Sequence, residues 1–304
     1  MEITKIYETY AQWMEFSKIK YPPTIWILIA IALTAMVGFT SYILSALIIR
    51  EVTLLPLAFS ISTLVIILGY PYLRKENIID SIEKNFSDAL KQMADTLKAG
   101  DTYESALREV ADSDYGRLSE EMQLALRRLE DGENLDSALT GFAQRIDSTT
   151  IKRTITIILD SIKTGASLAD ILDDISDDVR DFQRLKEERK SNTTMQFIFM
   201  IASGGIIAPI IFGEINAVVG GFANIGSQTL DINKIAEAAS TNALILTLIQ
   251  AYIIIEVIGS GTMMSLIRDG KLNKSIIYIP ILLLMAFIVY YVSMTFIKGM
   301  LAGA

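Results

Sequence analysis

Gly132-Glu133-Asn134-Leu135-Asp136-Ser137-Ala138-Leu139 is the stretch whose reading decides the fold. A residue without a Cβ adopts the left-handed conformation at little cost, so Gly132 predicts the end of one helix. Two residues on, Asn134 is a preferred N-cap. Leu135, Leu139 and Phe142 then recur at the steps of a helix with one apolar face. The same order stands at 100–107 (Gly-Asp-Thr-Tyr-Glu-Ser-Ala-Leu) and at 165–172 (Gly-Ala-Ser-Leu-Ala-Asp-Ile-Leu). The glycines, Gly100, Gly132 and Gly165, are 32 and 33 residues apart. Thr102 and Ser167 take the cap position in the outer copies. A repeat of this length reads as a helical hairpin, which buries its apolar face only against neighbours. Three copies predict helices near 76–99, 102–112, 117–131, 134–146, 149–164 and 167–190.

Composition sets this segment apart. Residues 74–194 hold 18 Lys+Arg and 26 Asp+Glu, 36% of the segment, and none of the six prolines of the 304-residue chain. The rest holds nine of each sign, so the net charge of −8 belongs to the middle segment. The flanks contain five long apolar runs: 21–49, 52–73, 191–213, 238–267 and 275–297. Only Glu256, in the fourth, interrupts them with a charge. Each run exceeds the roughly 20 residues that a spanning helix needs. The expected fold class is all-α: a polytopic membrane protein with about five transmembrane helices and one cytoplasmic six-helix bundle. Residues 1–24 read as an N-terminal cytoplasmic amphipathic helix, because Ile3, Ile6, Tyr7, Tyr10, Trp13 and Met14 fall on one stripe that would rest on the membrane. Residues 25–73 read as two transmembrane helices, 74–194 as the bundle, and 195–304 as three more transmembrane helices. The first apolar run is too long and too late for a cleavable signal.

Basic residues near the spans orient the chain. Lys5, Lys18 and Lys20, Arg74 and Lys75, Lys186, Arg189 and Lys190, and Arg268, Lys271 and Lys274 fall on one side. Arg50, Lys234 and Lys298 fall on the other. The expectation is a multi-pass protein of the cell membrane, with the N-terminus and 74–194 cytoplasmic and the C-terminus outside.

Several chemistries are excluded. The chain has no cysteine and no histidine, so thiolate and imidazole catalysis and their metal sites are absent. No phosphate-binding loop is present, since Gly270-Lys271 lacks the upstream glycine and a following Ser or Thr. No basic face suits a nucleic acid. Asp173, Asp174, Asp177, Asp178 and Asp181 superficially resemble a diphosphate-binding aspartate cluster. A membrane prenyltransferase needs a second cluster, and the spans offer only Asp231 and Asp269, on opposite sides. A solvated face, a docking surface for a basic partner and a metal site remain the three readings of those aspartates. Glu256 within a span is a functional candidate by default, with a fixed polar contact as the alternative. Gly259 and Gly261 beside it would let another helix approach. No enzyme activity and no cofactor is expected.

The run from Leu90 to Gly100 (Leu-Lys-Gln-Met-Ala-Asp-Thr-Leu-Lys-Ala-Gly), the copies at Gly132 and Gly165, and the close from Glu256 through Gly261 to Arg268-Asp-Gly-Lys271 together resemble one family. It is the type II secretion F-domain family, the inner-membrane platform proteins of type IV pilus-like machines. The short length and single bundle are similar to the tight-adherence and archaeal branches. The resemblance implies partners: a cytoplasmic hexameric secretion ATPase, pilin-like subunits, the lipid bilayer, and a second copy or a paralogue making a dimer. It also implies roles. Asp173, Asp174, Asp177, Asp178 and Asp181 with Arg268, Lys271 and Lys274 become candidates for ATPase docking. Glu256, Gly259 and Gly261 become candidates for contact with a subunit inside the membrane. A membrane subunit of an ATPase-driven transporter is the alternative reading.

Overall fold

The computed structural model describes residues 2–48, 54–164, 167–227 and 232–302. Among them the elements are all helical: α1 (Glu2–Phe16), α2 (Pro23–Ile48), α3 (Leu55–Lys98), α4 (Tyr103–Asp112), α5 (Arg117–Glu130), α6 (Leu135–Ile146), α7 (Thr149–Lys163), α8 (Leu168–Asn192), α9 (Thr194–Ala202), α10 (Ala208–Ser227), α11 (Ile232–Asp269) and α12 (Ser275–Ala302). A π-helical turn, Ser203–Ile207, joins α9 to α10, and a 3₁₀ turn, Leu272–Lys274, precedes α12. Five helical stretches are long and apolar enough to cross a membrane, so the expected all-α polytopic fold stands. Gly165, Arg50, Glu51 and Asp231 lie outside the described residues.

The chain divides into two compact units. One comprises Gln12–Lys18 and Tyr72–Arg189, the other Met1–Ala11, Ile19–Pro71 and Lys190–Ala304.

In the first unit, the glycine stops behave as their sequence demands. Gly100 and Gly132 hold φ of +95° and +93°. At the second stop the Gly132 N–H donates to Leu129 O and the Glu133 N–H to Arg128 O, each at 3.0 Å, which satisfies carbonyls that the ending helix would leave bare. Asn134 Oδ1 then accepts from the Ser137 N–H at 2.8 Å and starts α6. Thr102 and Ser148 cap α4 and α7 in the same way. The apolar faces meet around Phe86, Leu90, Leu107, Met122, Phe142 and Ile155, all buried, with the Phe86 and Phe142 rings 6.1 Å apart. Burying each such side chain contributes about 1.5–3 kcal/mol.

Two carboxylates are buried with partners. Glu121 lies between Arg145 and Arg117, each at 3.0 Å. Glu83 accepts from Ser148 Oγ at 2.6 Å and pairs with Lys186 at 3.1 Å. The second half of the N-terminal helix joins this unit. Met14 is buried, Phe16 packs on the apolar core beneath the Arg117 guanidinium at 5.4 Å, and Lys18 pairs with Glu120 at 2.7 Å. Met14, which the sequence reading placed on a membrane-facing stripe, is therefore packed within the bundle unit.

In the second unit, α10, α11 and α12 surround Ile253, Val257, Ala286, Phe287 and Tyr290, all fully buried. At Gly213 a Cβ would lie 2.6 Å from the Tyr290 carbonyl, so a glycine is required for α10 to approach α12 this closely. Asn216 Nδ2 donates to Tyr290 Oη at 2.7 Å, and Gln250 Nε2 to Tyr291 Oη at 3.1 Å. These bonds satisfy amides that the bilayer cannot solvate.

The span expected at 52–73 and the helix expected at 76–99 are one helix of 44 residues that runs through Pro71. Proline lacks the N–H that would bond the carbonyl four residues back, at Ile67. Trp26 Nε1 donates to that carbonyl instead, at 3.1 Å, and Tyr10 Oη donates to Leu68 O at 3.2 Å.

Candidate functional site

The acidic helix α8 presents two different edges. On the inner edge, Asp173 accepts hydrogen bonds from both Lys91 and Lys98 of α3. Those bonds hold its carboxyl below the usual carboxylate range, and the same contact raises Lys91. Arg180 donates to Asp88 at 3.0 Å, and Lys186 meets Asp80 at 3.0 Å. These contacts fasten α8 to α3. Asp174, Asp177, Asp178 and Asp181 are exposed instead. Asp177 lies 4.0 Å from Arg180; nothing pairs with the other three among the described residues. The five aspartates thus separate into one structural residue and four on the open edge. No group of three or more His, Cys, Asp or Glu in the described residues could hold a metal ion.

A polar groove of about 550 Å³ lies beside the inner edge, lined by Asp88, Lys91, Asp95, Glu109 and Tyr115 among others. Its groups mostly satisfy one another. Tyr115 Oη donates to Gln92 at 2.9 Å, and Glu109 accepts from Gln92 at 3.2 Å and from Thr96. The Thr96 and Gln92 bonds hold the Glu109 carboxyl below its usual value.

The basic loop after α11 is largely built into the fold. Lys274 pairs with Asp269 at 3.1 Å, and that aspartate also accepts from Tyr278 Oη at 3.0 Å. The Arg268 guanidinium lies 4.3 Å over the Phe197 ring, a cation–π contact, and Phe197 meets Tyr278 edge to face at 5.6 Å. Gly270, at φ +68°, ends α11, and Ser265 Oγ donates to Lys271 O. Lys271 is the exposed cation of the three. Sequence reading missed Phe197 and Tyr278, because an aromatic in an apolar run carries no signal that it will seat a cation from another helix.

Glu256 sits midway along a span. Its Oε2 is shut away and has no hydrogen-bond donor among the described residues. The π turn lies against it. A Cβ on Gly204 would be 2.9 Å from Ser260 Oγ and 4.0 Å from Glu256 Oε1. Gly205 turns instead toward Leu282 and Met285 of α12. Between Ala202 and Ala208, just before Pro209, the chain widens into a π turn in which the Ala208 N–H donates to Ser203 O. Gly259 and Gly261 face different ways. A Cβ on Gly261 would strike Ile279 at 2.6 Å, so that glycine serves the contact between α11 and α12. A Cβ on Gly259 would meet nothing within 4 Å, and Ile255 beside it is exposed. The open surface next to Glu256 is therefore the Gly259 side.

Residues 89–213 match the family model for type II secretion system (T2SS), protein F. The match starts within α3, runs through the bundle and ends in α10. A curated relative, an uncharacterized protein of Methanocaldococcus jannaschii, is 26% identical over 153 residues, which is 50% of this chain and 50% of the relative. The chain thus spans about half the length of that relative. No solved structure matches. The helical repeat closed by Gly100 and Gly132, running directly into apolar spans, is where this match falls: over residues 89–213 this multi-pass membrane protein is similar to the type II secretion system protein F family.

Proposed function

We propose that this chain is an inner-membrane platform of a type IV pilus-like machine, near the tight-adherence and archaeal branches. The bundle contacts a cytoplasmic hexameric secretion ATPase. The spans receive pilin-like subunits and pass them into a growing filament. The N-terminus and the bundle lie in the cytoplasm and the C-terminus outside, following the distribution of Lys and Arg. The platform is non-enzymatic and works as a dimer, either of itself or with a paralogue.

One observation carries this reading: the family match runs as one piece over residues 89–213, from the middle of the bundle's first helix through the bundle into the apolar stretch that follows it. A family of platform proteins for secretion and pilus-type machines supplies the class of function. Two features support the finer assignment. The open edge of α8 offers Asp174, Asp177, Asp178 and Asp181 to a partner, with Lys271 as the exposed cation of the basic loop. Glu256 keeps a carboxylate oxygen that has no donor among the described residues, beside the open Gly259 surface. An amine carried by a subunit helix would supply that donor and offset the cost of burying either charge.

The test is removal of the gene from its host. Surface filaments or filament-dependent secretion are expected to disappear while the ATPase and the subunit precursors are still made. Filaments at the normal level would refute the platform reading.

A further inference from the structure

The outer edge of α8 carries more than charge. Phe182 is 52% exposed and Leu185 63% exposed. Both belong to the compact unit that ends at Arg189, outside the five apolar spans counted from sequence. On one helix, residues 174, 178, 181 and 185 follow at steps of four, three and four, so they form a single line. Phe182 stands beside that line, four residues after Asp178 and three before Leu185. The buried side of α8, with Leu172, Ile175, Ser176 and Val179, faces the opposite way. The contacts that fasten α8 engage Asp173, Arg180 and Lys186 and leave this line untouched.

We propose that Phe182 and Leu185 anchor the contact with the secretion ATPase, and that Asp174, Asp178 and Asp181 select a basic rim around the apolar pocket that takes them. This rests on the platform reading and adds which residues carry the contact. Charge complementarity decides the occupant. Three carboxylates that pair with nothing among the described residues line the anchor pair, so a matching surface offers Arg or Lys around an apolar recess. A second copy docking through the same line would bring like charges together. An anionic lipid surface would be repelled in the same way. Contact energy concentrates in buried aromatic and apolar anchors, while exposed charges steer the encounter and respond to salt. Asp173 takes no part, because Lys91 and Lys98 hold it.

The experiment uses the full chain in nanodiscs and the hexameric secretion ATPase from the same genome. Dissociation constants are measured at two salt concentrations. Phe182→Ala with Leu185→Ala is expected to weaken binding roughly tenfold or more, with the salt dependence kept. Asp174→Asn, Asp178→Asn and Asp181→Asn together are expected to weaken it less and to flatten the salt dependence. Ile157→Ala, an exposed apolar position on α7, is expected to change nothing. All these positions are exposed, so melting temperatures are expected to stay unchanged. Unaltered binding by the Phe182 and Leu185 variant would overturn the inference while leaving the platform reading in place. Loss of a dimer in that variant, with ATPase binding intact, would assign the line to a second copy and also overturn it. No binding by the unsubstituted chain would overturn both.

Discussion

Gly132 shows how a single residue can be read from sequence and then tested. Its φ of +93° is one that only glycine adopts cheaply, and a Cβ there would meet nothing within 4 Å. Gly132→Ala is therefore expected to lower stability by about 1 kcal/mol through backbone strain alone, without a steric clash. Thermal unfolding of the full chain, with hydrogen exchange at the Ser137 amide, measures it; an unchanged value would mean that the turn relaxes. The cap residues were legible for the same local reason, since a cap bonds its own chain three residues away. The role of Asp173 was not legible. Its partners Lys91 and Lys98 lie far off in sequence, so it read as one more acidic surface residue. The pairing has a pH consequence. Asp173 is held below its ordinary value of 3.8, first by the Lys91 hydrogen bond and then by Lys98, and Asp147 is lowered by Lys152 and Lys75. A carboxyl depressed in the folded state adds stability above its unfolded value and loses it as pH falls through the folded one. Melting temperature is therefore expected to drop below about pH 4, and Asp173→Asn to make that drop shallower. An acid limb identical in the variant would remove Asp173 from the account.

At the scale of elements, the helices inside the bundle were readable because stops and caps mark their ends. The sequence places helices near 102–112 and 149–164, and α4 and α7 occupy 103–112 and 149–163. The long helix α3 was not readable as one piece. Pro71 carries the usual signal of a boundary, and only donors from other parts of the chain let the helix pass it. Trp26 supplies one to Ile67 O and Tyr10 another to Leu68 O. Trp26→Phe keeps an aromatic ring against Tyr70, now 5.9 Å away, but removes the N–H. The Ile67 carbonyl would then lack a donor in a setting with little water, at a cost of about 1–3 kcal/mol. The melting temperature in nanodiscs is expected to fall accordingly, while Trp26→Ala is expected to lower it further by removing the packing. A Trp26→Phe protein as stable as the original would show that the proline-freed carbonyl finds another partner.

For the molecule as a whole, charge partition and run length were enough to foresee five apolar spans and a charged helical part between them. They could not foresee that residues 12–18 would complete that part, because a stripe of apolar residues does not say what covers it. Nor could they say which of two glycines near Glu256 was open, since helix facing is set by the packing of α12 against Gly261. That packing bears on assembly. Glu256 has one oxygen without a donor among the described residues, next to Ser260, the Gly204 turn and the unobstructed Gly259. Were it a fixed internal contact, Glu256→Gln would disturb a bond already made and the fold with it. With no such bond to Oε2, glutamine keeps the size, adds an amide donor and removes only the charge. The variant is therefore expected to reach the membrane at the normal level and melt at the normal temperature. If Glu256 receives the amine of an incoming subunit, filament assembly is expected to fall at least tenfold, because a neutral side chain no longer offsets the desolvation of that amine. Glu256→Asp, which keeps the charge on a shorter arm, is expected to recover part of it. Filament counts by electron microscopy and surface shearing read the outcome. Full assembly in Glu256→Gln would make the residue a structural one, and loss of the protein from the membrane in the same variant would place its role in folding.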